Sequence, residues 1–218
     1  MQTEKSTIGV LALQGDFEAH RRALERVGAN AVEVRSEADL DRIDGLIIPG
    51  GESTTMLKLL QEEKLFEPLR RFGARKPIFG TCAGAILLAK HVVNPEQEAL
   101  GLMDLTVERN AYGRQIDSRI IQLTLDGRPL EAVFIRAPII RRAGDETRVL
   151  ITYMHDPVLV EEGKHMAATF HPELTVDDRI HRHFLKKVAE QNGWHAAGYQ
   201  PEIQYHGSKP DLSDSCGN

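Results

Sequence analysis

The 218-residue chain is poor in cysteine, in positive charge and in long apolar runs, and each shortage narrows what it can be. It has two cysteines, Cys82 in an apolar setting and Cys216 in a polar tail. Two such distant thiols make no disulfide framework, and a reducing compartment keeps both free. With no second cysteine near Cys82, a metal site of the zinc type is not expected either. The formal net charge is -5 and the sequence pI about 6.0, so there is no field suited to holding nucleic acid; small molecules and proteins are the expected partners. No apolar run approaches the roughly 20 residues that span a bilayer. The opening MQTEKSTIGVLALQGD has one early lysine and no cleavage-site pattern, which argues against a secretion signal and for a cytoplasmic location.

What is present is the ordinary balance of a domain with a sizeable core: 41% hydrophobic and 27% charged residues. Ile8 to Leu13 reads as a buried strand, followed by a helix from Phe17 to Val27. Ala31 to Arg35 and Gly45 to Pro49 read as further strands, the second closed by Pro-Gly-Gly. Ser53 or Thr54 is placed to cap a helix beginning near Met56, with Leu57, Leu60 and Leu65 on its apolar face. Pro77 to Gly80 is a strand leading into a helix from Ala83 to Lys90. Continuous apolar strands alternating with amphipathic helices predict a three-layer α/β protein whose mostly parallel central sheet is covered on both faces. From Leu105 to Phe170 short strand-like segments (LTVER, RIIQLTL, EAVFIRAP, RVLITYM, PVLVEE, KHMAATF) predict antiparallel strands added to that sheet. A helix over Arg179–Asn192 closes a single domain spanning 1–192, and 193–218 reads as a polar, mobile tail. There is no internal repeat.

The chemistry-bearing stretch is PIFGTCAGAILLAK. A strand ending in Gly-Thr, then a cysteine, Ala-Gly and a helix has the layout of a nucleophile elbow, G-x-C-x-G in place of G-x-S-x-G. The turn puts Cys82 at a helix N-terminus, where the helix dipole favours thiolate, and aims the Ala83 N–H at an oxyanion. A buried structural cysteine is the competing reading. A thiol nucleophile needs a base, and His171 in AATFHPEL stands out among nine histidines. It ends an apolar strand, and residues two apart on an extended segment share a side, so Glu173 can orient its imidazole. His20, His181 and His183 fall on helices beside charged residues and read as solvated surface. PGGEST (Pro49 to Thr54) offers backbone N–H groups ahead of a helix, and RNAYGRQ (Arg109 to Gln115) carries two arginines suited to a carboxylate. The alternative reading of PGGEST is a plain loop with a helix cap, and RNAYGRQ taken alone reads as a polar turn.

Together the segments resemble the class I, triad-type glutamine amidotransferases, with GTCAG as the cysteine elbow and FHPE as the histidine-glutamate segment. GVLALQGDFEAH, LIIPGGEST, FGTCAGAILLA, RNAYGRQ, FIRAP and FHPEL, in this order from residue 9 to 174, are similar in particular to the glutaminase subunits of two-component pyridoxal 5'-phosphate (vitamin B6) synthases. The resemblance implies a flavodoxin-like α/β architecture. It implies Cys82 as nucleophile, His171 as general base and acid, and Glu173 as its orienting partner. Glutamine would be bound by Gly51, Glu52, Ser53, Arg109, Ile135 and Arg136, with an oxyanion hole from the N–H groups of Gly51 and Ala83, and Gln14 and Gly15 on the adjoining loop. The implied reaction is hydrolysis of L-glutamine to glutamate and ammonia, without metal or organic cofactor. The implied partner is the synthase subunit, a (β/α)8 barrel that consumes the ammonia, since the expected elements leave no room for an acceptor-substrate domain. A stand-alone thiol hydrolase, a cysteine-dependent stress protein and a non-catalytic subunit keeping the fold are the rival readings.

Overall fold

A computed structural model of the chain describes residues 6–109 and 118–193. The first half alternates as its hydrophobic pattern requires: β1 (Thr7–Leu11), α1 (Phe17–Arg26), β2 (Asn30–Val34), α2 (Glu37–Leu40), β3 (Gly45–Ile48), α3 (Ser53–Glu62), α4 (Phe66–Arg75), β4 (Ile78–Thr81) and α5 (Ala83–Leu88). The second half is mostly strand: β5 (Ala89–Val93), β6 (Met103–Glu108), β7 (Ser118–Leu125), β8 (Arg128–Ile135), β9 (Ile139–Ala143), β10 (Arg148–Tyr153), β11 (Asp156–Glu162) and β12 (His165–Ala168). A 3-10 turn at Pro172–Leu174 and α6 (Arg179–Gln191) complete it.

The central sheet has seven strands in the order β10-β11-β12-β4-β3-β1-β2. From β12 to β2 all neighbours are parallel, and β10 and β11 extend the edge in antiparallel fashion. Successive residues of a strand face opposite sides of a sheet, and the core divides accordingly. Leu11, Leu46, Ile48 and Ile78 pack with α3, α4 and α5. Ile8, Val10, Ile47 and Phe79 pack with Leu24 of α1 and with Ile180, Phe184 and Val188 of α6.

The expected antiparallel additions are real but go to three places. Only β10 and β11 join the main sheet in antiparallel fashion; β6 pairs antiparallel with β9 in a separate three-stranded sheet whose third strand, β5, runs parallel to β6, and β7 and β8 form a separate antiparallel hairpin. KHMAATF is not an added strand at all, because β12 pairs parallel with β4 in the heart of the sheet. The helix expected to reach Lys90 stops at Leu88, and the chain enters β5, whose His-Val-Val run favours extended backbone. The segments β9, α2 and α4 had no counterpart in the sequence reading; α4 tolerates Pro68 because it lies in the first turn, where N–H groups have no intrahelical acceptor. The tail falls outside the described residues, as does most of RNAYGRQ.

One ionic cluster ties the antiparallel edge to α6. The Glu161 carboxylate of β11 accepts from His183 Nε2 (2.8 Å) and Lys187 Nζ (3.1 Å) of α6 and from Arg148 Nε of β10 (2.7 Å). Burial acts to raise its pKa, but these donors outweigh burial and hold it at about 2. A carboxyl depressed in the fold contributes stability above its unfolded pKa and loses it as pH falls toward the folded value. Glu161→Gln is therefore expected to lower stability at pH 7 by about 2 kcal/mol, roughly 4–8 °C in Tm. Thermal melts from pH 7 to pH 2 should show the gap from the parent protein closing below pH 4.5; a gap independent of pH would refute the electrostatic account.

Candidate active site

The β4–α5 junction forces an unusual backbone on Cys82, with φ 49° and ψ -102°. A non-glycine residue with positive φ is strained. It is held by its N–H donating to the Ala168 carbonyl of β12 (2.8 Å) and by its carbonyl accepting from Ile86 N–H (3.2 Å). The turn also depends on close backbone approach: a Cβ on Gly84 would sit 2.1 Å from the Ile48 carbonyl oxygen. The elbow expected from G-x-C-x-G is thus present, with its thiol buried. Ala83 is the first residue of α5, a position whose N–H has no intrahelical acceptor.

His171 follows Phe170 beyond the end of β12, and its N–H donates to the Val133 carbonyl of β8 (2.8 Å). Its Nδ1 is hydrogen-bonded to Glu173 Oε1 at 2.8 Å, with both side chains buried. The pair forms by a different local geometry from the one expected. Pro172–Leu174 is a 3-10 turn rather than extended chain, and the turn brings the carboxylate back under the ring. Nε2 remains for Cys82. Burial opposes charge on His171, but the interactions with Cys82 and Glu173 prevail and raise its pKa to about 10. Burial raises the Glu173 pKa in turn, against the opposing effect of the His171 contact. The ring lies against Gly50: a Cβ there would be 2.3 Å from His171 Cε1 and 3.3 Å from Cys82 Cβ.

The remaining predicted residues gather unevenly. Gly51 has φ 152°, and the loop around it is fixed by Gln14 Nε2 donating to the Glu52 carbonyl (2.9 Å). The cap of α3 is not Ser53 or Thr54. Glu52 takes that place, accepting from the N–H groups of Thr54 (3.0 Å) and Thr55 (2.6 Å) and from the Thr55 hydroxyl (2.7 Å). A carboxylate suits a helix N-terminus because it meets both free N–H groups and the positive end of the dipole. Partial burial acts to raise its pKa, yet these hydrogen bonds hold it at about 2. Ser53 is buried instead, donating to Gln97 Oε1 (3.1 Å). Arg109 reaches the same loop, with Nη2 2.6 Å from Thr54 Oγ1 and 3.5 Å from Glu52 Oε1. The Ile135 carbonyl oxygen is 3.9 Å from Cys82 Sγ, while Arg136 is exposed with φ 42°.

Two histidines assigned to the surface are not there. His20 and His181 are fully buried, because each shares the apolar face of its helix: His20 with Ala23 and Leu24, His181 with Phe184 and Val188. That i, i+3, i+4 and i+7 spacing was the available signal. His183 is partly exposed and bound to Glu161. Among the described residues, Asp16, His171 and Glu173 bring three donor atoms within 4.8 Å of one another, but His171 and Glu173 are engaged with each other. The arrangement suits nucleophilic attack on a carbonyl carbon by a thiol whose base is already oriented.

A family model described as the SNO glutamine amidotransferase family matches residues 10–190. A protein named "Pyridoxal 5'-phosphate synthase subunit PdxT" from Solibacter usitatus is 60% identical over 190 residues, covering 83% of this chain and 98% of that protein. A protein of the same name from Koribacter versatilis is 57% identical over 187 residues, covering 85% and 97%. A solved structure described as a glutamine amidotransferase is 48% identical with a TM-score of 0.79, covering 84% of this chain and 98% of its own. A putative GMP synthase subunit from Thermoplasma acidophilum, at 19% identity and a TM-score of 0.62, shares the fold.

Gly50→Ala is expected to displace the His171 ring from Cys82 without unfolding the chain. Alkylation of Cys82 by iodoacetamide at pH 7 should slow by about tenfold or more, given the sensitivity of such pairs to ångström-scale misplacement, while circular dichroism stays native. An unchanged alkylation rate would show that the ring does not depend on Gly50.

Proposed function

The chain belongs to the SNO glutamine amidotransferase family, and from that premise we propose that it hydrolyses L-glutamine to glutamate and ammonia through a thioester on Cys82, as the glutaminase subunit of a pyridoxal 5'-phosphate synthase. The observation that carries the reading is the buried His171–Glu173 pair set beside a cysteine in a strained elbow. Relatives at 57–60% identity carry the name of that synthase's subunit, which supports the biosynthetic role.

The steps follow from the groups at the site. Cys82 thiolate adds to the side-chain amide carbon of glutamine, forming a C–S bond and moving the carbonyl electron pair onto oxygen. We assign the N–H groups of Ala83 and Gly51 to that oxyanion. Collapse of the adduct breaks the C–N bond, and His171 gives its Nε2 proton to the leaving nitrogen, so ammonia departs neutral. His171, now neutral, takes a proton from water, whose oxygen attacks the thioester; loss of the thiolate releases glutamate and returns the imidazolium. Glu173 fixes the ring tautomer throughout and supports its charge.

Glutamine binding is assigned to Gly51, Glu52, Ser53, Arg109, Ile135 and Arg136. Glu52 holds the first turn of α3 and meets Arg109, so in this reading it orders one side of the glutamine site. Its carboxyl, held at about 2, stays ionised at every working pH. The partner in this reading is the synthase subunit, which receives the ammonia before water protonates it. No described helix is long and apolar enough to cross a membrane. A cytosolic setting belongs to the proposal because a thiol nucleophile needs a reducing compartment.

Glutamate release from L-glutamine, measured with and without the synthase subunit, tests the reading. Turnover is expected with the partner present, and Cys82→Ala should lower it by at least about 1000-fold while complex formation persists. His171→Asn should lose a comparable factor. No turnover by the unaltered protein in either setting, or an active Cys82→Ala, would refute the assignment.

A further inference from the structure

Behind the candidate triad lies a second pair of buried imidazoles that the hydrolysis scheme does not use. His20 of α1 places Nε2 at 3.0 Å from Thr81 Oγ1 and 3.2 Å from Glu173 Oε2, and Nδ1 at 3.0 Å from His181 Nε2 of α6. Both rings are fully buried and stand edge-on to Phe79. The chain of contacts therefore runs from Cys82 through His171, Glu173 and His20 to His181.

Proton counting selects one arrangement of this chain. His181 Nδ1 is buried with no hydrogen-bond partner among the described residues. An unpaired lone pair there costs less than an unpaired N–H, so the His181 proton belongs on Nε2, where His20 Nδ1 accepts it. A neutral His20 must then carry its own proton on Nε2, which faces Glu173 Oε2 and Thr81. The opposite tautomer would turn a lone pair toward a carboxylate oxygen at 3.2 Å. Glu173 Oε2 is itself buried and makes no aligned hydrogen bond with any described residue; His20 Nε2 lies 3.2 Å from it, close enough for its N–H dipole to support the charge although its aligned partner is Thr81 Oγ1. Neutrality of the two rings agrees with their surroundings. Burial, with His181 and His171 nearby, pushes the His20 pKa well below its ordinary value. Burial also lowers His181 to about 4, with Asp178 acting to raise it and Arg26 to lower it.

We propose that His20 is a positioning residue for glutamine hydrolysis: its Nε2–H, oriented by His181, holds the outer oxygen of Glu173 so that the carboxylate stays ionised and aligned under His171. The inference rests on the triad reading given above. His20 touches neither substrate nor sulfur; it acts through Glu173. The titratable groups facing that carboxylate are His171, His20 and Asp16, so loss of the His20 N–H leaves His171 and the Glu173 backbone N–H to oppose burial and the Asp16 charge. The Glu173 pKa then rises.

The test compares His20→Leu with His20→Gln in complex with the synthase subunit. Leucine fills the space without a donor; glutamine keeps an N–H near the position of Nε2. For His20→Leu, kcat for glutamate release should fall about 10- to 100-fold, by analogy with the loss when the hydrogen-bond partner behind a metal-ligating side chain is removed. KM should stay within about twofold, and the acid limb of kcat/KM should move to higher pH. His20→Gln should recover most of the lost rate and the original acid limb. Imidazole nitrogen chemical shifts of the unaltered protein, assigned by the signal missing from His20→Gln, should report neutral His20 with its proton on Nε2 at pH 7; this reading needs no folded His20→Leu. Unchanged kcat in His20→Leu, equal losses in the two variants with an unmoved acid limb, or a His20 proton on Nδ1 would each overturn the proposal. An active Cys82→Ala would overturn the triad reading instead.

Discussion

Glu173 is buried with one carboxylate oxygen against His171 and the other facing His20, and a charge in that position costs several kcal/mol unless donors surround it. Much of the edge around it answers that constraint. The 3-10 turn after His171 exists to fold the carboxylate under the ring. Anchoring of the His171 N–H to Val133 brings β8, and with it Ile135, over Cys82. The two helices on that face, α1 and α6, each commit a histidine to the interior where an aliphatic residue would otherwise pack. The polar interior is continuous from His171 through Glu173 and His20 to His181 of α6, and breaking it at one member strands the next.

A second cost is local. The Cys82 backbone sits where side chains are disfavoured by about 1–3 kcal/mol, and the site tolerates this because the surrounding sheet over-determines it. Its N–H and carbonyl are both bonded, β12 on one side and α5 on the other. Gly50 and Gly84 are absent side chains with a purpose: one leaves room for the imidazole, the other for the carbonyl of Ile48. Neither strain nor close approach is visible from propensity, which is why glycines beside a lone cysteine are a more telling signal than the cysteine itself.

The parallel core was legible because its strands are apolar throughout and its helices amphipathic, so β1 to β4, α1 and α6 appear within a residue or two of where their patterns put them, while α3 begins at Ser53, ahead of the expected Met56. The later strands were visible as strands but not as partners. Sheet membership is decided by long-range pairing, and nothing local in KHMAATF distinguishes a parallel neighbour of β4 from an edge hairpin. The same limit hid His20 and His181. Their charged neighbours suggested solvent, whereas helical spacing to Leu24 and Phe184 pointed inward. Glu52 stood in the sequence as a candidate site residue but not as the cap of α3, since Ser and Thr are the commoner choice and only the loop geometry decides.

Sheet register ultimately brings sulfur and imidazole together. Cys82 follows Thr81, and Thr81 is paired with Ala168 in the parallel ladder of β4 and β12; His171 lies three residues beyond Ala168. The two groups are 89 positions apart in the chain, with two accessory sheets between them, yet their alignment is set by that short ladder and by the Cys82 N–H bond to Ala168. A one-residue slip would reverse the faces of β12 and displace His171 by about 3.3 Å, farther than a hydrogen bond can stretch. The ladder is correspondingly interior: Phe79, Met166, Ala167 and Ala168 are all fully buried, so a slip would carry core side chains to the wrong layer. The packing that stabilises the fold and the alignment that chemistry requires are the same contacts, which is why the inserted strands could be placed elsewhere without disturbing the pair.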